Sequence, residues 1–151
     1  MEVVEYQGHS YELTWHSFVK APVEATQVSG YVFDQGKLLL TRTRQNWTIP
    51  GGKPEKGETY LQTLHREVLE ETQVEITNAQ YLGYVSSRNL ASQEVMYQLR
   101  YRAEVKHLNN EPLSMETKGL AWVEIKRLSE YIPWARGKVF QEELLAALDV
   151  P

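Results

Sequence analysis

Cysteine is absent from this chain of 151 residues, which excludes disulfide bonds, thiolate zinc sites and a cysteine nucleophile. A reducing compartment fits that absence, and we expect the protein to be cytoplasmic. The N-terminal segment MEVVEYQGHSYELTW has neither a basic stretch nor an apolar core, so it does not resemble a signal peptide. No apolar run approaches the roughly 20 residues that a membrane-spanning helix needs, so no membrane partner is expected.

A surplus of basic residues is also lacking. The chain has 16 Lys and Arg against 20 Asp and Glu, for a net charge of −4. Such a balance does not favour general binding to nucleic acid, so we expect no nucleic-acid partner. Repeats, low-complexity tracts and flexible linkers are absent as well. We therefore expect one domain over residues 1–151, in which residues 1–20 form an N-terminal hairpin extension.

Strand-like segments surround one helical segment in the middle of the chain. A hairpin is predicted over residues 24–44, with its turn at Asp34, Gln35 and Gly36. Residues 59–72 have helical composition, and residues 46–58 are predicted to form a loop rich in Pro and Gly. Further strands are predicted at 74–87, 94–105 and 120–125, followed by helices at 127–132 and 137–148. This order predicts an α/β sandwich around a mixed sheet.

Apolar spacing predicts which face each helix buries. In the central helix the spacing picks out Leu61, Leu64 and Val68. In the last helix it picks out a second set, consisting of Phe140, Leu144, Leu145 and Leu148.

The central helix carries a crowded set of acids beside its apolar face. Glu67 is three residues from Glu70 and four from Glu71, so both pairs are neighbours on the helix surface. Each like-charged pair costs about 0.2–0.5 kcal/mol, and negative charge near a helix C-terminus is unfavourable too. A solvated acidic face is one explanation. A divalent cation that shares oxygen ligands with a phosphate is the other, and it would reverse the sign of the interaction.

The residues around these acids resemble the signature of the Nudix hydrolase family. After Gly52 come five residues, Glu58, seven residues, and then the run REVLEE from Arg66 to Glu71. Gln73 is the one departure, because the family has Gly at that position. The flanks also agree, since WTIPGG leads into the motif and a strand that contains Trp122 follows it. The resemblance implies the Nudix α/β/α sandwich with one central catalytic helix.

The resemblance also implies a chemistry, which is hydrolysis of a diphosphate linked to another group, dependent on Mg²⁺ or Mn²⁺. It implies that Glu70 and Glu71 are metal ligands and that Glu67 is a ligand, the water-activating base, or both. Gly51 would offer its carbonyl as a further ligand. Gly52, Glu58 and Arg66 would be structural, with Arg66 and Glu58 paired so that the loop is held against the helix.

Three groups outside the motif are further candidates. Glu116 precedes the Trp122 strand and is a second candidate base, with Glu111 and Glu94 as weaker alternatives and an exposed loop acid as the plain explanation. Arg42 and Arg44 would share one side of a strand and contact phosphate, unless they are surface charges. Aromatic and basic side chains elsewhere would line a base or ribose pocket if they are not simply structural, namely Tyr84, Arg88, Tyr97 and Trp134.

Three remaining positions have structural expectations only. Trp47 is expected to pack under the loop, and His65 to be an ordinary helix residue. Gln73 is expected to end the helix in a left-handed conformation, which costs a non-Gly residue about 1 kcal/mol.

The expected function is therefore hydrolysis of the pyrophosphate bond in a small phosphoanhydride substrate of the nucleotide or nucleotide-sugar type. The alternative is a module of the same fold that senses a nucleotide without cleaving it. The isomerases of this family use a cysteine, which this chain lacks. The choice of substrate and a homodimer are left open.

Overall fold

The computed structural model describes residues 1–44 and 46–150. Their strands are β1 (Glu2–Tyr6), β2 (His9–Ser17), β3 (Gln27–Asp34), β4 (Lys37–Thr43), β5 (Asn46–Thr48), β6 (Gly51–Gly52), β7 (Val74–Asn89), β8 (Val95–Leu108) and β9 (Thr117–Glu124). Their α-helices are α1 (Tyr60–Thr72), α2 (Leu128–Tyr131) and α3 (Lys138–Asp149), and short 3₁₀ turns flank α2. None of the described helices has the length and apolar character needed to cross a membrane.

All nine strands belong to one mixed sheet. Its main order is β1-β2-β7-β8-β3-β4-β5, with β6 paired to β3 and β9 paired to β4. The β3–β8 pair is parallel and the other pairs are antiparallel. Residues 1–17 form a hairpin that adds β1 and β2 to the edge of β7.

Alternation along the central strands gives the sheet two buried faces. In β3, Val28 and Val32 pack with α1, whereas Tyr31 and Phe33 pack with the C-terminal helices. Successive side chains of a strand point to opposite faces, so a strand buried on both faces is apolar at nearly every position. The sheet lies between α1 and α3, and the expected α/β/α sandwich is confirmed.

The two ends of helix α1 are set by the capping residues Thr59 and Gln73. Thr59 accepts a hydrogen bond from the backbone N–H of Gln62, whose side chain accepts one from the backbone of Thr59. This reciprocal pair is a capping box. At the other end Gln73 has φ 60° and ψ 22°, so the expected left-handed cap is confirmed.

The buried faces of the two long helices differ from the prediction at three leucines. In α1, Leu64 and Val68 are buried as expected, but Leu61 is 43% exposed. In α3, Leu145 and Leu148 are 60% and 47% exposed. Phe140 and Leu144 are buried as predicted, and the other buried residues of α3 are Val139, Glu143, Ala146 and Ala147. The prediction was wrong because it followed leucines and passed over the one charged residue on the true face.

Candidate active site

A two-glycine strand, β6, lies against the acidic side of α1. Gly51 pairs with Ser29 and Gly52 with Val28, and the Pro50 carbonyl accepts a hydrogen bond from the N–H of Gly30 at 3.0 Å. A side chain at Gly52 would overlap the carboxylate of Glu67. Glycine at this position therefore lets a helix carboxylate lie directly on the strand.

Arg66 joins α1 to the loop in front of it. Its Nε and Nη2 donate to the two carboxylate oxygens of Glu58 at 2.6 and 3.0 Å. Nη2 also donates to the carbonyl of Lys53 at 3.0 Å. The hydrogen bond with Arg66 is the main cause that lowers the pKa of Glu58 to about 2. This bidentate geometry suits a guanidinium that holds a loop in place.

The remaining nitrogen of Arg66 faces the acids. Nη1 donates to Glu67 at 2.8 Å and to Glu70 at 3.2 Å. Despite this partner, desolvation raises the pKa of Glu67 above its usual value. One guanidinium thus donates to three carboxylates and lies 3.7 Å from a fourth, that of Glu55, which leaves this side of the helix with excess negative charge.

Among the acids of α1, Glu71 is the one whose ionised form is most disfavoured by its surroundings. Desolvation first, and then the charges of Glu67, Glu116 and Glu70, raise its pKa from 4.5 to about 8, although the N–H of Gly51 bonds to the carboxylate and opposes that rise. The start of β9 is tied to this end of α1, because the Thr117 hydroxyl donates to the Glu71 carbonyl at 2.9 Å. Glu116, the residue before Thr117, is thereby held close to Glu71.

The donor set fits a divalent cation in its chemistry. Its members are carboxylate oxygens with too little positive charge around them, next to a backbone strand that lacks side chains. Hard cations such as Mg²⁺ take such ligands. No three acidic or histidine side chains in the described ranges are already arranged as a coordination shell. In this structure one carboxylate oxygen each of Glu67 and Glu70 accepts a hydrogen bond from Arg66.

Two predicted phosphate contacts do not lie on the same strand. Arg42 lies on β4 on the α3 side of the sheet, where its guanidinium sits 5.7 Å from the centre of the Trp47 ring and donates to the Lys118 carbonyl at 3.2 Å. Arg44 lies beyond β4 in a turn with φ 59°. The argument from strand alternation was therefore wrong for Arg44, because β4 ends before it.

The structure also places the alternative acids and two further predicted residues. Glu94 lies in the β7–β8 turn and Glu111 in the exposed loop after β8, and neither is among the charges that act on Glu71. Trp47 packs against the core, with its ring centre 5.3 Å from that of Tyr131. His65 is an exposed helix residue, as predicted.

The aromatic set predicted to line one pocket is split between two grooves. Tyr84, Arg88 and Tyr97 line a groove of about 180 Å³ beside β2, with His16 stacked on Tyr84. Trp134 lies in a different cavity, described next.

Two larger cavities are lined in part by residues that flank the glycine strand in the chain. One, of about 980 Å³, is formed by the loop 53–60 and residues 24–27. The other, of about 320 Å³, lies between the N-terminal hairpin and α3, and Thr48 and Ile49 are part of its wall. It is the more apolar of the two, so it is better suited to an apolar group than the first.

Sequence reasoning missed a buried polar group in that second cavity. Arg100 Nε and the Tyr31 hydroxyl donate to the same oxygen of Glu143 at 2.6 and 3.1 Å. Burial and the charge of Glu143 raise the pKa of Tyr31 well above 10. The signal was a glutamate at the i+3 position from Phe140, on the apolar face of α3.

The chain was compared with known families and structures. A family model described as the NUDIX domain matches residues 24–145. A mutant of the Bacillus subtilis pyrophosphohydrolase BsRppH superposes with a TM-score of 0.75 at 23% identity, covering 99% of this chain and 97% of the other. A Streptococcus suis ADP-ribose pyrophosphatase gives 0.59 at 17%, covering 82% and 88%. MutT from Aliivibrio salmonicida and Vibrio cholerae gives 0.58 at 25%, covering 79% and 94%. Among curated proteins, no sequence matches significantly.

These findings agree with the site. The family match includes the whole segment from Gly51 to Glu71, as well as Glu116. Because the family model spans most of the sequence, this chain belongs to the Nudix hydrolase family.

Proposed function

We propose that the protein hydrolyses the pyrophosphate bond of a nucleoside diphosphate linked to another group, in a reaction that depends on Mg²⁺. The observation that carries the proposal is the electrostatic environment of Glu71. Its carboxylate is half-buried beside the glycine strand, and the negative charges of three other acids disfavour its ionised form. A structural role does not explain why four acids gather around so little positive charge. A diphosphate with its metal ions would supply the missing positive charge.

In this proposal Glu67, Glu70 and Glu71 hold the metal, and the Gly51 carbonyl is a further ligand. When bound, the metal supplies charge neutralisation on the phosphate oxygens and a water of lowered pKa. Arg66 and Glu58 keep the loop at residues 53–58 against α1, so that the glycine strand stays in place. Arg42 and Arg44 remain candidates for phosphate contact at the outer end of β4.

The base that orients or deprotonates the attacking water is either Glu67 or Glu116. Burial raises the pKa of Glu67, which suits a carboxylate that accepts a proton. Glu116 comes from a loop outside the helix, and its charge acts on Glu71. Both therefore lie within the acidic cluster, and a variant series separates them.

The experiment measures the release of phosphate and nucleotide products from a panel of nucleoside triphosphates, dinucleoside polyphosphates and nucleotide sugars, with Mg²⁺ or with EDTA. We expect turnover only with Mg²⁺. Glu71→Gln should lower kcat by at least a hundredfold, since a lost ligand or base typically costs that much. Binding of nucleotides without any turnover would contradict the proposal and favour a sensing module.

A matched pair of loop variants tests the base. Glu116→Gln changes an acid beside Glu71, whereas Glu111→Gln changes an exposed acid five residues earlier in the same connection. A large loss of kcat in the first variant alone assigns the base to Glu116. Equal, near-normal activity in both variants removes Glu116 from the mechanism and leaves Glu67 as the base.

A further inference from the structure

The connection between β8 and β9, residues 109–116, is attached to the C-terminal end of α1 at both of its ends. Where it begins, the N–H of Asn109 donates to the carbonyl of Gln73 at 2.9 Å. Where it ends, the hydroxyl of Thr117 donates to the carbonyl of Glu71 at 2.9 Å, across 46 positions of the chain. The last carbonyls of a helix have no partner within the helix, so these two bonds satisfy groups that otherwise need water. The connection is therefore fixed to the part of α1 that carries the acids.

Glu116 lies in a tight turn that runs from Ser114 to Thr117. The N–H of Thr117 donates to the carbonyl of Ser114 at 3.1 Å, and the hydroxyls of the two residues lie 3.3 Å apart. The amine of Lys118 donates to the carbonyl of Met115 at 2.8 Å. Glu116 occupies the third position of this turn, so its backbone is held in place when Thr117 is held in place.

An irregularity in the sheet brings Thr117 to the α1 side. Leu39 of β4 pairs with Trp122 of β9, and both pack on that side. Regular alternation from Trp122 would place Lys118 on the same side. The register of the two strands shifts near the start of β9, however, and Thr43 pairs with Thr117 instead. A bulge of this kind re-aims side chains at the end of a strand, and here it sets a hydroxyl, in place of a lysine, against the end of α1.

Thr117 is a buried residue between two exposed ones. It is 8% exposed, whereas Glu116 and Lys118 lie at the surface. A buried hydroxyl needs a hydrogen-bond partner, and Thr117 finds it on Glu71. The charge of Glu116 acts on the carboxylate of the same residue, where it contributes to the raised pKa of Glu71. The hydroxyl and the acid beside it are thus both directed at one residue of α1.

We infer that Thr117 is a positioning residue, whose bond to the Glu71 carbonyl holds Glu116 at the acidic cluster and makes the β8–β9 connection part of the active site. The inference deepens the proposed function and rests on it, because turnover at that site is its first readout. Thr117 touches no reacting atom in this view and acts through Glu116. Without the bond Glu116 is free to move, and a displacement of about 1 Å at an active site can lower a rate on the order of a hundredfold.

The first test is a double-mutant cycle on Thr117 and Glu116. Thr117→Val keeps the shape of the side chain but cannot donate, so at saturating Mg²⁺ it should lower kcat at least about tenfold and change KM less than about threefold. Glu116→Gln should lower kcat at least as much. The double variant should match Glu116→Gln within about twofold, because Thr117 acts through that carboxylate. If the two losses multiply in the double variant, Thr117 only stabilises the fold and the inference is overturned.

Two further variants separate the hydroxyl from a general loss of stability. Thr117→Ser keeps the donor and should retain most of the kcat. Thr72→Val is the matched control, because Thr72 is also buried at the end of α1 and donates to a helix carbonyl, that of Val68 at 2.6 Å. This bond stays within α1, so its loss should lower the melting temperature but leave kcat within about twofold of the wild type. A Thr117→Ser protein as slow as Thr117→Val, at a normal melting temperature, would contradict the role of the bond.

The second test needs no turnover, because it measures Mg²⁺ binding by calorimetry without substrate. Glu116→Gln should weaken binding at least about threefold, since a negative charge that acts on Glu71 also attracts the cation. Thr117→Val should weaken it to a similar extent, with no further loss in the double variant. Glu111→Gln, in the exposed middle of the same connection, should leave it unchanged.

This comparison of two exposed acids also covers the case in which Thr117→Val does not fold. Both glutamine variants change surface residues and leave the bond of Thr117 intact. Glu116→Gln that equals Glu111→Gln in Mg²⁺ affinity and in kcat would place Glu116 outside the cluster and overturn the inference.

The two proposals fail in different ways. Coupled losses of Mg²⁺ affinity, without hydrolysis of any substrate, would keep the positioning role of Thr117 and remove the catalytic proposal. Mg²⁺-dependent hydrolysis with independent effects of Thr117→Val and Glu116→Gln would do the reverse.

Discussion

Helices α1 and α3 lie on opposite faces of one sheet, and each carries glutamates on the side that faces the sheet. The negative charge is compensated on α3 and is not compensated on α1. On α3, Glu143 is almost fully buried and has Arg100 and Tyr31 as partners on a single oxygen. On α1, Arg66 is shared among Glu58, Glu67 and Glu70, and Glu71 is left with other acids as neighbours.

The difference separates a carboxylate whose charge is compensated within the fold from one whose charge is not. A buried charge is tolerated when a partner and hydrogen bonds compensate it. Glu71 has only the N–H of Gly51 against three repelling charges, and its pKa of about 8 expresses that imbalance. Perturbed carboxylates of this kind cluster at functional sites. Four experiments test this contrast and the end of α1.

The largest effect is expected when the compensated glutamate is removed. Glu143→Ala leaves Arg100 buried without its partner, which should lower the free energy of unfolding by about 3–5 kcal/mol. Glu70→Ala, on the exposed edge of the acidic cluster, should cost less than about 1 kcal/mol. Chemical denaturation of both variants measures the difference. Similar small losses in the two would mean that Arg100 and Glu143 do not depend on each other.

A smaller effect is expected from metal on the uncompensated cluster. Mg²⁺ at a hundred times its Kd should raise the free energy of unfolding by about 2.7 kcal/mol, because it binds only the folded protein. Glu71→Gln should lose most of this gain, whereas Glu143→Gln should keep it. Thermal melting with MgCl₂ and with EDTA measures both. The same gain in Glu71→Gln would remove Glu71 from the metal site.

The stability of the metal-free protein should depend on pH because the charge of Glu71 is not compensated. The folded pKa of Glu71, about 8, lies above its ordinary value of 4.5, so the folded state binds the proton more tightly. Its contribution to stability is therefore full below pH 4.5 and is lost as the pH rises to 8. In EDTA, the free energy of unfolding of Glu71→Gln should exceed that of the wild type clearly at pH 8.5 and by little at pH 4.5. A gain that does not change with pH would contradict this cause.

The smallest effect concerns the end of α1. Gln73 has φ 60°, a conformation that costs a residue with a side chain about 1 kcal/mol. Gln73→Gly should raise the melting temperature with little change in turnover, because Gln73 lies outside the acid cluster. Gln73→Ala is the control, since alanine keeps the strain. Equal melting temperatures of the two variants would show that the left-handed cap carries no such cost.

The sequence predicted most of the elements because their signals are local. The capping box at Thr59, the turn at Gln35 and Gly36, and the apolar alternation of β3 all act between near neighbours in the chain. The prediction was wrong where leucines outnumber the positions that face the sheet, as at Leu61, Leu145 and Leu148. Periodicity shows that a helix has a buried face, but neighbouring elements decide which residues form it.

The spacing of Gly52, Glu58 and the acids from Arg66 to Glu71 by itself determined the family and the helix that carries the charge, since those residues interact within a few turns of one another. Only the tertiary structure decided that Glu116 comes to Glu71, that Arg44 leaves the strand of Arg42, and that Arg100 meets Glu143. Those pairs are separated by a strand end or by more than forty residues. Their distances depend on how the sheet registers its strands, which no local pattern encodes.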